Sequence, residues 1–357
     1  MKKVVFIVHS LHGGGTQGYV RSLANYFYEQ GNQVAIIVLS NNQEKVPDDL
    51  LVPAFFLPKA LARKKLIERF LALIEMHFLN GVDAFFANSF DAYKLLSVQK
   101  RIPNDKQFYV VHADYSTMRY SFYTPFKNME RTFKYRRLFN KKNIIVNSDG
   151  VKESLTKKLG IKPKSMSVIF PPINCDLVKT MATEKLTMAL PEEYLVALGR
   201  LSEGKRVYLA VELLKYLPNS FHLLVIGDGD QLPNIKKRVQ SERLESRVHF
   251  LGWQPNPYPI LRNAKALVSM SESEGFSLVV AEALLLGVAS LAVNSAGPQT
   301  ILGEKFPKLI FEENKTMLKE MAETIKHLPL YPEQYYESYA ETFDISHAYK
   351  KYYALLG

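Results

Sequence analysis

The sequence predicts an α/β protein built as two successive parallel-sheet domains, and three observations predict it. Short apolar runs of strand length alternate with helical patterns along the chain, the alternation that produces a parallel sheet covered by helices on both faces. The alternation is broken at Pro171-Pro172 and then restarts. At 357 residues the chain is long for one core, and it suffices for two domains of about 150–200 residues each.

In the first half Val4 to Val8 opens a strand at 3–8. The runs QVAIIVL at 33–39, VDAFFA at 82–87, QFYVVH at 107–112, NIIVN at 143–147 and MSVIF at 166–170 read as further strands. Each is short and rich in β-branched or aromatic residues. Helical spacing of apolar residues marks 15–30, 60–79, 124–139 and 149–159. The segment 50–58 fits neither pattern clearly. In the second half the strands read at 194–198, 221–226, 247–250, 266–269 and 288–293, and the helices at 206–216, 231–243, 257–263, 277–286 and 315–326. A last helix at about 346–356 opens with Ser346 as its expected cap. The expected organisation is therefore residues 1–170, residues 171–340, and a closing helix at 341–357 that packs on the first domain. Both domains are expected to be Rossmann-like and to face each other across a cleft, with ligands at the carboxyl ends of strands.

Hydrophobic content of 47% and charged content of 23% are ordinary globular values. One cysteine, Cys175, excludes an internal disulfide and suits a reducing compartment. The N-terminal apolar run stops after five residues at His9, too short for a signal-peptide core. No run approaches the roughly 18 apolar residues of a membrane span, so the expected location is cytoplasmic. The net charge of +11 is uneven: residues 1–170 hold 26 Lys+Arg against 13 Asp+Glu, and residues 171–357 hold 20 against 22. Different fields imply different partners. No zinc-finger spacing, RNA-recognition signature or basic heptad repeat accompanies the charge, so no nucleic-acid partner is expected.

The stretch HSLHGGGTQG, residues 9–18, spells G-x-G-x-x-G through Gly13, Gly15 and Gly18. A dinucleotide site needs its first glycine almost directly after the strand, yet four residues, His9 to His12, intervene. It also wants an acidic residue about 20 residues on to hold the ribose, and the second strand ends Leu39-Ser40-Asn41-Asn42. NADP tolerates such an ending, so an oxidoreductase stays open as a lesser alternative. A glycine loop opening a helix remains a good anion site, and a plain turn is the bland alternative. His9 and His12 read as loop packing.

The second half carries more chemistry. ALGRLSEGK places Arg200 and Lys205 on the loop after a strand, where a guanidinium fork and a point charge can clamp a diphosphate. SESEGFSLVVAEALLLG follows another strand and opens a helix, with Glu274 before it and Glu282 within it. The N–H groups of Gly275, Phe276 and Ser277 are expected to stand free at that helix start. Glu274 and Glu282 can hold hydroxyls at two points of one sugar nucleotide. No Asp or His cluster has metal-ligand spacing.

In this order the motifs resemble the family 4 glycosyltransferases, retaining nucleotide-sugar enzymes of the two-domain GT-B fold, over nearly the whole chain. GGTQGYVRSLANYFYEQGNQV is similar to the family's glycine loop and first helix. GRLSEGK is similar to its diphosphate-binding Arg and Lys, and the Glu274–Glu282 spacing to its paired glutamates. FDISHAYKKYYALL is similar to its crossover helix. The resemblance implies transfer of a hexosyl group, from a UDP sugar rather than a GDP sugar, to a glycan or lipid-linked acceptor of the cell surface. No metal or cofactor is implied. Arg200 and Lys205 would neutralise the leaving diphosphate, Glu274 and His112 would approach the reacting sugar, and Glu282 would hold the ribose. Gly14 and Gly15 would let the loop approach phosphate or acceptor, and Trp253 to Asn256 would flank the base. Gln17, Asn174 and the Gln299-Thr300 pair depart from the family's usual residues. An epimerase of the same fold and a non-catalytic sugar-nucleotide-binding subunit are the alternatives.

Between 112 and 143 the basic residues Arg119, Lys127, Arg131, Lys134, Arg136, Arg137, Lys141 and Lys142 interleave with aromatics. Arg63-Lys64-Lys65 opens a helix whose Leu66, Ile67, Phe70 and Ile74 form an apolar stripe, read as core before membrane anchor. Basic side chains and aromatic rings together suit an anionic membrane surface. The first domain is therefore expected to dock peripherally on the cytoplasmic leaflet.

Overall fold

The computed structural model describes residues 1–13, 15–40, 45–78, 81–115, 125–186 and 188–357, with the side chains of 125–128 excepted. Gly14, Arg119 and Lys127 of the expected sites fall on excepted positions. The chain divides into two units, Met1–Pro172 with Ile345–Gly357, and Ile173–Asp344.

The first unit runs β1 (Lys3–Val8), α1 (Thr16–Glu29), β2 (Gln33–Leu39), β3 (Ala54–Leu57), α2 (Arg63–His77), β4 (Ala84–Ala87), α3 (Phe90–Val98), β5 (Gln107–Val111), α4 (Pro125–Phe139), β6 (Asn143–Val146), α5 (Asp149–Glu153) and β7 (Ser165–Val168). Its seven strands lie in the order β3-β2-β1-β4-β5-β6-β7, and every neighbouring pair is parallel. The ambiguous segment 50–58 thus contains an edge strand. Side chains on a strand alternate between faces, so Val4, Phe6 and Val8 enter one core while Val5 and Ile7 enter the other. Both faces being buried explains why β1 reads as a continuous apolar run. The α2 stripe resolves as core: Phe70 and Ile74 are buried, and Leu66 and Ile67 pack against them.

The second unit runs α6 (Cys175–Met181), β8 (Glu193–Leu198), α7 (Val207–Leu213), β9 (Phe221–Ile226), α8 (Leu232–Ser241), β10 (Val248–Gly252), α9 (Tyr258–Arg262), β11 (Ala266–Ser269), α10 (Leu278–Leu285), β12 (Ser290–Val293), α11 (Ala296–Leu302), β13 (Ile310–Phe311), α12 (Met317–Lys326) and α13 (Glu333–Ala340). Its order is β10-β9-β8-β11-β12-β13, again parallel. Counted within the unit this is 3-2-1-4-5-6, the doubly wound order, whose switch point lies between β8 and β11. The corresponding point of the first sheet lies between β1 and β4. The glycines of IGDGD are required by close approach: a Cβ on Gly227 would stand 1.9 Å from the Gly199 carbonyl oxygen, and one on Gly229 would stand 2.2 Å from that of Leu201.

The chain closes with α14 (Ile345–Ala354), which belongs to the first unit and buries Ala348 and Tyr352 in the core beneath α1. Ser346 therefore lies inside this helix rather than capping it, because the helical turn begins one residue earlier. The helix expected over 149–159 is α-helical only to Glu153 and continues as a π turn over Ser154–Lys158. That widening accompanies a hydrogen bond from Ser154 Oγ to the buried Asp114. Helices α3, α6, α11 and α13 and the two-residue β13 lay outside the expected elements. Asn174 caps α6, its Oδ1 accepting from the Leu177 N–H at 3.0 Å. Asn and Asp cap about equally well, so this departure from the family's usual residue keeps its structural job.

Candidate active site

The second unit gathers its charged motifs at the switch point. The loop after β8 carries Arg200, exposed, and Lys205, half-buried at the end of a 3-10 turn over Glu203–Lys205. The loop after β11 carries Glu274, whose side chain is 15% exposed. Lys205 Nζ donates to Glu274 Oε1, and the Glu272 N–H donates to the Gly204 carbonyl at 2.9 Å. Two of the expected residues, on loops from adjacent strands, are therefore in direct contact. Gly199, Arg200, Lys205 and Met270 line a small open hollow there.

Sequence reasoning missed what braces these loops. Arg206 adopts the left-handed region at φ 46°, a conformation a side-chain-bearing residue holds only when its surroundings demand it. Its guanidinium, 10% exposed, donates through Nε to the Met270 carbonyl at 2.9 Å and through Nη1 to both Glu313 oxygens at 2.8 and 2.9 Å. One side chain thus ties the ends of β8, β11 and β13 together. The signal in the sequence was a third cation beside Lys205, with nothing to show what it reached.

Helix α10 begins at Leu278, so Gly275 and Phe276 precede it and Ser277 caps it, at φ 76° and without a side-chain cap bond. The first intrahelical bond comes from the Val280 N–H to the Ser277 carbonyl at 3.1 Å. Ser277, Leu278 and Val279 thus carry the N–H groups that precede the first intrahelical bond, and Gly275 and Phe276 lie just before them. The hydroxyls of Ser277 and Ser295 are buried without a partner among the described residues. Gly297 lies against this loop, its N–H donating to the Glu274 carbonyl at 2.9 Å, while Thr300 bonds back to the Ala296 carbonyl at 2.8 Å inside α11.

Glu282 is the one charged residue of an otherwise apolar helix, LVVAEALL. Burial pushes its carboxyl up to about 7, opposed by a hydrogen bond from the Tyr258 hydroxyl. Tyr258, on α9, is raised by its own burial and then by the Glu282 charge. Among the described residues Glu282 makes no hydrogen bond or ion pair with Arg200, Lys205 or Glu274, of which the last two pair with each other. Trp253 follows β10 and is 73% exposed, leaving a flat apolar face open beside this sheet edge. Asn256 is committed to the Met181 carbonyl at 2.8 Å.

In the first unit Gly15 opens α1 at φ 48°, a conformation that suits glycine, and no side chain caps the helix. Its N-terminal N–H groups are thereby left for another acceptor. Gly13 sits at φ 121° with the Gln17 side chain beside it. His12 Nε2 lies 2.5 Å from the Lys45 carbonyl and His9 Nδ1 lies 3.8 Å from Asp91, so both belong to loop packing.

His112, directly after β5, is half-buried, and burial pushes its imidazole down to about 4. Its Nε2 lies 3.0 Å from Asn88 Oδ1, and its carbonyl accepts from Asn147 Nδ2 at 2.9 Å. The Tyr19 ring meets it edge-on at 4.8 Å between centroids. Asn88 and Asn147 were missed, although each directly follows a buried strand, β4 or β6, as His112 follows β5 between them.

Among the described residues no group of three or more His, Cys, Asp or Glu side chains is placed to hold a metal ion. No described helix is long and apolar enough to cross a membrane.

Residues 13–177 match the family Glycosyltransferase Family 4, and residues 179–341 match Glycosyl transferases group 1. A Campylobacter jejuni N-acetylgalactosamine-N,N'-diacetylbacillosaminyl-diphospho-undecaprenol 4-alpha-N-acetylgalactosaminyltransferase is 25% identical over 203 residues, 56% of this chain and 55% of that one. The lipopolysaccharide 1,6-galactosyltransferase of Salmonella typhimurium is 28% identical over 162 residues, 43% of this chain and 44% of that one. The chain thus spans about half the length of the curated relatives it matches. Among solved structures, Anabaena HepE in complex with UDP and glucose matches with a TM-score of 0.82 over 100% of this chain and 99% of its own, at 16% identity. With the two family matches covering successive halves and both sheets doubly wound, the chain belongs to the family 4 glycosyltransferases of the GT-B fold.

Proposed function

We propose that this chain transfers a hexosyl group, with retention of configuration, from a UDP sugar to a glycan or lipid-linked acceptor of cell-surface polysaccharide synthesis. The carrying observation is the pair of loops at the second sheet's switch point, where Arg200, Lys205 and Glu274 stand together. In this reading Arg200 and Lys205 neutralise the diphosphate as it leaves, and the α10 start adds backbone donors. Preorganised positive charge of this kind supplies most of the acceleration in such transfers. Glu274, already oriented by Lys205, faces the donor sugar, and Glu282 holds the ribose hydroxyls while Trp253 offers its open ring to the base. The departing phosphate accepts the acceptor hydroxyl's proton, so no covalent nucleophile and no metal take part. The UDP preference rests on the solved relatives crystallised with UDP, and the acceptor class on curated relatives that act on lipopolysaccharide or undecaprenol-linked glycans.

Docking on an anionic membrane surface is part of the same proposal, and α4 supports it. Met129 is 66% and Phe133 69% exposed, with exposed Lys134, Arg136 and Arg137 beside them. Arg131 and Arg136 are partly engaged inward, donating to the Tyr115 carbonyl at 2.9 Å and the Leu159 carbonyl at 2.7 Å.

The test is product analysis with a panel of UDP and GDP sugars and lipid-linked or glycan acceptors in excess EDTA. Sugar transfer that persists there and preserves the donor's anomeric configuration by NMR supports the reading. An inverted linkage, or transfer restored only by Mg²⁺ or Mn²⁺, overturns the mechanism.

A further inference from the structure

Three strand ends that lie side by side in the first sheet, β4, β5 and β6, are followed by Asn88, His112 and Asn147. Asn88 is 4% exposed and its amide is oriented from behind, because Nδ2 donates to the Phe86 carbonyl at 2.8 Å. Its Oδ1 is therefore the atom that faces His112 Nε2 at 3.0 Å. An amide oxygen only accepts, so the ring nitrogen opposite it must carry the proton. In a neutral imidazole the other nitrogen, Nδ1, is then a lone-pair acceptor.

We propose that Asn88 is a positioning residue that holds His112 in the Nε2–H form, so that Nδ1 is presented as an acceptor for a sugar hydroxyl. The proposal rests on the reading of His112 as a group that touches substrate, and it adds which atom does so and which neighbour determines it. Asn147 braces the same residue from the other side by holding its carbonyl, and its own Oδ1 is buried without a partner among the described residues. A sugar hydroxyl can donate to Nδ1, whereas an anion without a hydrogen to give cannot.

The groups around the ring favour the neutral form. From α1 comes Tyr19, whose hydroxyl is bonded to that of Tyr352 from α14. From β4 and β6 come the two uncharged amides. Asp114, two residues on, is buried and receives the Ser154 hydroxyl. Among the described residues no carboxylate hydrogen-bonds to the ring itself, and burial holds the imidazole down at about 4.

The experiment is ¹⁵N NMR of the full chain labelled at histidine, with His112→Gln used for assignment. In the wild type the His112 signals should show a protonated Nε2 and an unprotonated Nδ1 from pH 6 to 8. An Nδ1–H ring overturns the proposal without any variant having to fold. Asn88→Asp puts a carboxylate where the amide oxygen stands, and it should raise the His112 pKa by about three units, to near neutrality, converting Nδ1 from acceptor to donor at pH 6. UDP release from UDP-glucose, UDP-galactose or their N-acetylhexosamine counterparts should then fall about tenfold at pH 6 relative to wild type and recover as the pH is raised. Asn88→Ser, which keeps a neutral oxygen, should retain more of the wild-type pH profile. A pKa raised as expected with an unchanged rate profile overturns the role of Nδ1 toward substrate. Absence of UDP release by wild type with every sugar nucleotide counts against the glycosyltransferase reading instead, because the NMR result does not depend on turnover.

Discussion

The two units share a strand order and differ in almost everything placed at the strand ends. In the second unit the switch point carries charge: exposed Arg200, Lys205 paired with Glu274, and Arg206 spanning three strand ends. In the first unit the comparable strand ends carry uncharged hydrogen-bonding groups: buried Asn88 and Asn147 and a half-buried, neutral His112. One sheet topology thus carries a cluster of charged side chains at the strand ends of one half and uncharged hydrogen-bonding side chains at those of the other. The doubly wound sheet determines where a ligand sits, and the side chains that follow each strand determine what it is.

The sharpest way to break that contrast is to remove charge from the second unit. Arg200→Ala or Lys205→Ala should lower kcat by about 10²-fold or more, the size seen when a transition-state donor is lost. Both lie on loops outside the core, so the melting temperature should hardly move. Steady-state turnover read alongside thermal unfolding checks this, and full turnover in either variant would remove the diphosphate assignment.

Next in size is the basic face of α4 in the first unit. Lys134→Gln with Arg137→Gln removes two cations worth about 1 kcal/mol each at an anionic surface. Co-sedimentation with vesicles containing phosphatidylglycerol should weaken by roughly thirty-fold at low salt, and wild-type binding should itself fade by about 0.5 M NaCl as screening shortens. Equal binding to neutral and anionic vesicles would leave this face an ordinary solvated surface.

Glu282 gives an effect of about tenfold and a definite sign. Its folded pKa of about 7 lies above the usual carboxylate value, so the carboxylate forms only as pH rises toward neutrality. Ribose hydroxyls donate to a carboxylate, so UDP affinity should increase about tenfold between pH 6 and pH 8, as one coupled proton requires. Calorimetry on Glu282→Gln should show that part of the dependence gone. The same raised pKa means the ligand-free fold loses stability as pH climbs from about 4.5 to about 7, and the substitution should flatten that slope. His112 works in the opposite sense in the first unit: its depressed pKa removes stability as pH falls from about 6.5 toward about 4.

The smallest expected change separates charge from geometry inside the second unit. Arg206→Gly relieves the left-handed backbone at φ 46° but cuts the ties to Met270 and Glu313. Its melting temperature should lie above that of Arg206→Ala, which keeps a Cβ in that conformation. Both variants should lose about fivefold in kcat, because loops displaced by a fraction of an ångström misplace Lys205 and Glu274. Equal melting temperatures would show that the backbone conformation at 206 carries no strain.

Much of this molecule was legible before any coordinates. Strands buried on both faces leave a clear record, since nearly every position must be apolar, and runs such as VVFIV and VAIIVL could be little else. The long amphipathic helices were legible for the same reason. Short elements were not. Helices such as α6 and α11, seven residues each, have too few turns for a periodic pattern to emerge, and β13 has two residues. The site divided along similar lines. Arg200, Lys205, Glu274 and Glu282 stood out because charge in or beside an apolar run is conspicuous. Asn88, Asn147, Tyr258 and Arg206 did not, because an amide, a phenol or one more cation is common everywhere in a soluble chain.

The sequence by itself therefore determined the class of fold, the repetition of one α/β plan across the proline pair, and the loops on which the chemistry falls. These depend on local pattern: burial on two faces, helical period, and residue type at strand ends. Only the tertiary structure decided which groups meet. Lys205 and Glu274 are 69 residues apart in sequence, and Arg206 and Glu313 are 107 apart. Asn88 and His112 are 24 apart, yet they become neighbours because β4 and β5 pair in parallel. Protonation followed from the same contacts, since burial and partners together leave Glu282 near neutrality in its titration and His112 uncharged. A hydrogen bond or a desolvated charge is a property of atoms brought together from distant parts of the chain, and strand order is what brings them together.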